Sequence, residues 1–221
     1  MKNRIGRILG IIFVGALLSG CRATELEDRT FPMMAAVDYD EEKQVGFTYV
    51  FPVLRAEPDA AAQAGEDEVS MNYAPDFGKA CKAHEASLNK EADYNQLKVL
   101  LLGTAFMEEP QQCREMLEFL WEEETFPRNT YVCVTDDVQG VILAGESQTA
   151  DAGTYIEELL ENHEFGEEEK LPTLGTLLDE QKNQVLPLRL PFLSVQDKTV
   201  VWTAFYEVPV DWWKNAEETE L

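Results

Sequence analysis

The chain has 221 residues, and its 42 acidic side chains outnumber 18 basic ones, which gives a net charge of −24 at pH 7. Nucleic-acid binding depends on Lys and Arg side chains that neutralise phosphates, so this balance excludes a nucleic-acid-binding role. Hydrophobic residues make up 45% of the chain and aromatic residues 10%, a composition typical of a folded protein rather than a disordered one.

The N-terminus has the pattern of an export signal. Basic residues, with no acidic ones among them, precede an apolar run over residues 8–20. A membrane-spanning helix needs about 20 apolar residues, whereas the apolar part of a secretory signal has about 7–15. The run ends in "LSGC" at residues 18–21, which resembles the lipobox of bacterial lipoproteins. This resemblance implies removal of a signal peptide, residues 1–20, and attachment of acyl chains such as palmitate to the Cys21 thiol.

Cleavage before Cys21 removes Lys2, Arg4 and Arg7, and leaves 201 residues with 15 basic and 42 acidic side chains, a net charge of −27. This length is sufficient for one large domain. Anionic lipid repels such a body, but acyl chains contribute about 0.8 kcal/mol per buried methylene and outweigh the repulsion when two or more are present. The predicted membrane partner is therefore lipid, bound through acylated Cys21.

Three further cysteines remain once Cys21 is acylated, namely Cys81, Cys113 and Cys133. An odd number cannot pair completely within the chain, and the absence of C-x-x-C spacing excludes zinc-ribbon and thioredoxin-type motifs. Because all three fall in apolar helix or strand patterns, we expect buried free thiols.

The first predicted elements form a β-hairpin. Extended runs over residues 33–39 and 45–54 flank a polar stretch, residues 40–44. Residues 55–74, which are rich in alanine, glycine and acids, predict a mobile acidic loop.

The middle of the chain alternates helix and strand patterns. A helix is predicted to begin near residues 75–76, with an inward stripe of Phe77, Cys81, His84 and Leu88. Residues 96–103 and 129–135 are short apolar runs that predict strands. Between them Pro110 opens a second helix, whose apolar stripe consists of Cys113, Met116, Leu117, Leu120 and Trp121.

The last third begins with helix patterns over residues 138–144, 152–163 and 173–180. Two extended segments follow, residues 185–195 and 199–208, joined by a polar turn.

Pro187 and Pro191 predict that the first of these segments is an edge strand, because proline cannot donate a hydrogen bond to a neighbouring strand. Residues 209–221 are a polar tail. Strands at both ends and a strand–helix–strand unit in the middle predict an α+β domain over residues 21–208, with a mixed β-sheet packed with helices.

The one helical turn that contains both a cysteine and a histidine gives no site. His84 lies three residues after Cys81, but a metal site needs two more ligands and a nucleophile pair needs a third, orienting group. The helical stripe already explains both residues as facing the core.

Two motif-like stretches also fail. Residues 38–43 begin like a calcium loop, but Lys43 and Tyr49 stand where that loop needs glycine and an acid. Residues 145–149 approach the serine-hydrolase elbow G-x-S-x-G, but Thr149 replaces its second glycine. We therefore predict no catalytic, cofactor-binding or metal-binding residue, and no enzyme.

The order of these landmarks resembles the Ger(x)C family, the C-subunit lipoproteins of bacterial spore germinant receptors. The resemblance rests on Glu25-Leu26 after the lipobox, and on three longer segments: "AVDYDEEK" (36–43), "NQLKVLLLG" (95–103) and "MLEFLWEEETFPRNTYVCV" (116–134). It extends over residues 18–208.

The chain departs from that family pattern at three points. Arg22 replaces a tryptophan, Ala36-Val37-Asp38 replaces a Gly-Ile-Asp step, and the chain ends at Leu221 where family members continue into further domains. The chain is therefore similar to the N-terminal domain alone.

The resemblance implies a non-catalytic lipoprotein of a germinant-receptor-like complex. Its partners would be the integral membrane A- and B-type receptor subunits, on the outer face of the cell membrane or in the spore inner membrane. Within the domain we interpret residues 126–132 as a rigid structural corner rather than a ligand site.

Two other classes of protein remain open. A solute-binding lipoprotein of a transporter needs a cleft, usually between two lobes, and 201 residues are few for two lobes. A divergent exported hydrolase needs a nucleophile and a base, and the sequence offers no such set.

Overall fold

The computed structural model describes residues 26–40, 42, 44–52, 69–123, 126–149, 151–163, 171–183 and 188–209. The predicted signal peptide, Cys21, residues 53–54 of the second predicted strand, residues 55–68 of the predicted acidic loop and residues 210–221 of the tail lie outside this part of the chain. No helix in the described ranges is long and apolar enough to cross a membrane.

A seven-stranded mixed sheet organises the domain, in the order β4-β3-β2-β6-β7-β8-β9. Its strands are β2 (Met34–Tyr39), β3 (Val45–Val50), β4 (Asn72–Ala74), β6 (Val99–Gly103), β7 (Tyr131–Thr135), β8 (Arg189–Gln196) and β9 (Thr199–Glu207). A second, two-stranded sheet pairs β1 (Arg29–Thr30) with β5 (Glu91–Ala92) in parallel. The predicted α+β class with a mixed sheet is confirmed.

Six helices of the described chain pack on the large sheet. They are α1 (Phe77–Ser87), α2 (Thr104–Met107), α3 (Pro110–Glu123), α4 (Val138–Gln148), α5 (Ala152–Glu161) and α6 (Leu174–Asn183). Asp76, Asp137 and Asp151 cap α1, α4 and α5, because each carboxylate accepts a backbone N–H of the first turn. These caps set helix starts close to the predicted ones, and α4 runs four residues beyond its predicted end.

The predicted hairpin is confirmed as β2 and β3, which pair from Met34↔Val50 to Tyr39↔Val45. The end of the predicted acidic loop differs from expectation, because residues 72–74 form β4 and pair with the outer side of β3. The Tyr73 ring lies where a Cβ on Gly46 would be, so the glycine permits this close packing.

The two faces of the sheet carry separate cores. Helices α1, α2, α3 and α6 cover one face, with Phe47, Phe77, Leu100 and Leu102 among the buried side chains. Helices α4 and α5 cover the other face, over Met34, Leu101, Cys133 and Ile142. Strand β6 is fully buried because helices cover both faces of the sheet there, and this explains its continuous apolar run at residues 99–103.

The predicted edge position of β8 is wrong. Strand β8 lies inside the sheet, between β7 and β9, and β9 forms the edge. Its ladder with β7 is only two residues long, Val134↔Phe192 and Thr135↔Leu193, so Pro191 precedes the ladder and its missing N–H breaks no bond to β7. Pro187 lies outside the described residues.

The three remaining cysteines are free and buried, as predicted. Cys81 and Cys113 belong to the core under α1 and α3, and Cys133 belongs to the core on the opposite face. The sheet therefore separates Cys133 from the other two thiols.

Candidate functional site

The first described residues are attached to the body of the domain by a small sheet. Residues 26–28 form a 3-10 turn that leads into β1. Arg29 Nη1 lies 2.8 Å from Asp93 Oδ2, and the Asp93 backbone N–H donates to the Thr30 carbonyl at 2.8 Å. Hydrogen bonds from the Asn95 backbone and from Arg29 lower the pKa of Asp93. The segment after the predicted anchor is thus held by a charged pair and a strand pairing.

This attachment lies at one particular edge of the large sheet. Strands β2, β6 and β7 are parallel, with Met34, Val99 and Tyr131 in register at their amino ends. Lys98 N donates to the Met33 carbonyl at 2.9 Å, so the chain enters β2 at this level. We call the edge formed by the first residues of these strands the amino edge.

Cys21 itself is outside the described residues, but its reach is bounded. Four residues lie between it and Leu26, and five steps along an extended chain, at most about 3.6 Å each, span roughly 18 Å. Acyl chains on Cys21 would therefore keep the amino edge close to a bilayer surface.

The predicted corner at residues 126–132 also lies at the amino edge. Thr130 is fully buried, its hydroxyl donates to the Leu97 carbonyl at 3.1 Å, and its own carbonyl accepts from Leu174 N at 2.8 Å. Phe126 is buried as well. The segment therefore joins three separate parts of the chain through backbone and hydroxyl groups, which agrees with a structural corner.

Arg128 extends the corner to the surface. Its guanidinium donates to Asp179 Oδ1 at 2.6 Å and to the Gly175 carbonyl at 3.3 Å. The guanidinium carbon also lies over the Trp121 ring, 5.5 Å from its centroid. A surface cleft of about 320 Å³ opens beside these groups and is lined by Leu120, Trp121, Phe126, Pro127, Arg128 and Leu178.

Sequence reasoning missed a partly buried polar cluster next to the core. Glu85 Oε1 accepts hydrogen bonds from the hydroxyls of Tyr49, at 3.4 Å, and Tyr94, and from the Cys81 thiol at 3.6 Å. Burial raises the pKa of Cys81 to about 12 and also raises the pKa of both tyrosines. The donors therefore stay protonated at neutral pH, and they join β3, α1 and the turn after β5.

His84 faces the core, as its place in the helical stripe predicted. Its Nδ1 lies 2.9 Å from Asn72 Oδ1, and its Nε2 accepts the Tyr49 backbone N–H at 3.3 Å. Burial lowers the pKa of His84, so the ring is neutral at pH 7. The two partners come from β4 and β3, which no helical spacing can reveal.

The opposite, carboxyl edge holds Asp38, the acid of the Ala-Val-Asp step. Its side chain covers Gly103, where a Cβ would overlap the carboxylate. Burial raises the pKa of Asp38, and the nearby Asp137 raises it further. The carboxylate thus packs directly against the carboxyl end of β6.

The two motif-like stretches have ordinary structural roles. Asp40 Oδ1 accepts the Gln44 backbone N–H at 2.7 Å and closes the hairpin loop. Ser147 lies inside α4, and its hydroxyl donates to the Ala144 carbonyl at 2.7 Å rather than standing on a strand–helix elbow. Among the described residues, no group of three or more His, Cys, Asp or Glu side chains is arranged to hold a metal ion.

Comparison with known proteins gives one match. A family model described as the spore germination protein N-terminal domain matches residues 22–188. No curated protein matches the chain. No solved structure matches it either. The matched residues include β1, the amino edge of β2, β6 and β7, and the whole corner, whereas β8 and β9 follow the match.

Proposed function

The chain belongs to the spore germination protein N-terminal domain family, and from this membership we propose that it is a lipid-anchored, non-catalytic part of a germinant-receptor-like complex. Membership supports a C-type role in the germinant receptor. The finer parts of the proposal are the anchor at Cys21, the placement of the domain on the membrane, and its partners.

The anchor is supported by the "LSGC" ending of the apolar run, and its place relative to the fold is supported by the attachment of the N-terminal segment at the amino edge. Arg29, β1 and Asp93 hold the start of the folded domain only eight residues after Cys21. Acyl chains on that cysteine would supply the membrane affinity that an acidic surface lacks. At full extension this tether spans roughly 18 Å up to Leu26, which bounds the distance between the amino edge and the bilayer.

The partners in this proposal are the integral membrane A- and B-type receptor subunits. Confinement to the same membrane raises the local concentration of the domain around them, so that weak surface contacts suffice for assembly. The domain then acts at the outer face of the cell membrane or in the spore inner membrane.

A non-catalytic role is supported by the state of the nucleophiles. Cys81, Cys113 and Cys133 are buried, and burial raises the pKa of each thiol, so none supplies a thiolate at neutral pH. Ser147 is bonded to its own helix.

The anchor is tested by Cys21→Ala in a spore-forming host. We expect the wild-type protein in the membrane fraction, with a diacylglyceryl cysteine as the first residue of the mature chain by mass spectrometry. Cys21→Ala should abolish the modification and leave the protein uncleaved or released. The matched control is Cys81→Ala, which should keep the lipid. A bare residue 21 in the wild-type protein would refute the anchor.

A further inference from the structure

The imidazole of His84 takes the place of a strand partner at the outer side of β3. Strand β4 pairs with β3 over three residues, and this ladder ends at the pair Phe47↔Asn72. The backbone N–H of Tyr49 lies beyond the end of the ladder and donates to Nε2 of His84 at 3.3 Å. A side chain of α1 therefore satisfies a strand N–H that β4 does not reach.

The other ring nitrogen holds β4 itself. Nδ1 of His84 lies 2.9 Å from Oδ1 of Asn72, the first residue of β4. An amide oxygen only accepts hydrogen bonds, so Nδ1 carries the ring proton, and Nε2 is left as the acceptor for Tyr49. One neutral tautomer of this imidazole thus connects α1, β3 and β4.

A second proton on the ring has no acceptor in this arrangement. It would attach to Nε2 and point at the Tyr49 N–H, so that two donors would face each other. His84 is only 8% exposed, and its ring packs edge-on against those of Phe47 and Tyr49. Protonation of His84 and its contact with β3 therefore exclude each other.

The titratable groups around the ring set the sign of the pH dependence. Tyr49 on β3, Cys81 on α1 and Tyr94 after β5 keep their protons, because burial raises the pKa of each. The charge of Glu85 on α1 favours the protonated ring, but burial has the larger effect and lowers the pKa of His84. Strand β4 presents an uncharged amide. The closed contact therefore weakens as pH falls below the ordinary histidine value of about 6.5.

We propose that His84 is an acid-sensitive latch, which holds β4 on the sheet while the ring is neutral and releases β4 from β3 when the ring is protonated. Release uncovers the outer side of β3 at Val45–Phe47, which β4 covers in the closed structure. The proposal concerns the folded domain alone and does not depend on the lipid anchor or on the receptor partners.

The test measures amide hydrogen exchange in the full mature chain, held in detergent micelles, by mass spectrometry at pH 7.5, 6 and 5. Rates are corrected for the intrinsic pH dependence of exchange. We expect the protection of peptides that contain residues 45–50 and 72–74 to fall about tenfold between pH 7.5 and 5. Peptides that contain β6 should keep their protection, since the latch does not touch that strand.

Two variants assign the effect to one ring. His84→Gln keeps a donor and an acceptor but does not titrate, so the protection of β3 and β4 should no longer depend on pH. His163→Gln is the matched change at the other histidine, which bonds the Leu159 carbonyl on α5, and it should keep the wild-type response. An acid-induced loss as large in His84→Gln as in wild type would overturn the proposal.

A measurement without any change at the latch covers the case in which His84→Gln does not fold. The chain has two histidines, so His84 is the only one left in His163→Gln, and its ring signals can be followed by NMR. We expect the ring to take up its proton over the same pH range in which the Tyr49 N–H loses protection. Loss of protection with a neutral ring, or a protonated ring with protection retained, would refute the latch.

Discussion

At the residue scale, Glu85 and Asp38 are two carboxylates in different surroundings. Glu85 accepts three protein hydrogen bonds at one oxygen, which compensate for the water it has lost. Asp38 accepts the Tyr39 backbone N–H, yet burial still raises its pKa, and Asp137 lies close by. Glu85 therefore links three elements, whereas the ionised Asp38 side chain lowers the stability of the fold at neutral pH.

Asp38→Asn should therefore stabilise the domain at pH 7. A carboxyl whose pKa is raised by folding binds its proton more tightly in the folded state, so stability is lost as pH rises from the ordinary value of about 4 through the raised one. Asparagine keeps the acceptor for Tyr39 and carries no charge. The increase in the free energy of unfolding of Asp38→Asn over wild type, measured with urea, should be present at pH 7 and vanish near pH 3.

The control for this prediction is Asp136→Asn, an exposed acid at the same edge. It should change stability little at either pH. A gain for Asp38→Asn that persisted unchanged at pH 3 would contradict the assigned cause, since the side chain is then neutral in both proteins.

At the element scale, the turn of the β8–β9 hairpin places two non-glycine residues in a backbone conformation that such residues disfavour. Asp197 and Lys198 have φ angles of 49° and 63°, in the left-handed region that two-residue hairpin turns require. Aspartate tolerates this region better than lysine does. The eight paired positions of the hairpin hold the turn in place despite this cost.

Lys198→Gly should raise the free energy of unfolding by about 0.5–1 kcal/mol, because glycine adopts a positive φ without a Cβ clash. Lys198→Ala removes the same charge but keeps the Cβ, so it should give no comparable gain. Both are measured by urea denaturation at pH 7. A loss of stability in Lys198→Gly, with Lys198→Ala unchanged, would be the contrary result.

At the scale of the whole molecule, the parallel strands give the domain two unlike edges. The amino edge holds the N-terminal attachment, the corner and the Trp121 cleft, and the carboxyl edge holds Asp38 and the start of α4. Strand β6 has five residues, so the two edges are separated by about 16 Å. A tether at the amino edge, as proposed for Cys21, would favour this edge as the side that faces the membrane.

This orientation predicts different distances from the bilayer for two labelled positions. A fluorophore on a cysteine at Gln96, exposed at the amino edge, should transfer energy to a membrane-bound acceptor more efficiently than one at Asp136, exposed at the carboxyl edge. The buried native thiols should stay unlabelled. Equal transfer from the two positions, with Cys21 acylated, would contradict the proposed orientation.

The structural features that depend on residues adjacent in the sequence were predictable. Periodicity gave the type of nearly every element, since a helix repeats every 3.6 residues and a strand every two. The position of β8 inside the sheet was not predictable from the sequence. A proline prevents a hydrogen bond only at its own position, and the length of the β7–β8 ladder depends on β7, which is distant in the chain. Strand β4 was missed for a similar reason, since its three residues form a strand only against β3.

The sequence by itself determined the acidic charge and the succession of strands and helices, and it is the source of the predicted export signal and candidate lipid site at Cys21, because these are local properties of the chain. Only the tertiary structure decided what meets at the amino edge. Leu178 meets Leu120, Trp121 and residues 126–128 in one cleft, and Tyr49 reaches Glu85, because the fold brings together segments far apart in the chain. Such pairings depend on the order of strands and on which face each helix covers, and no short stretch of sequence contains that information.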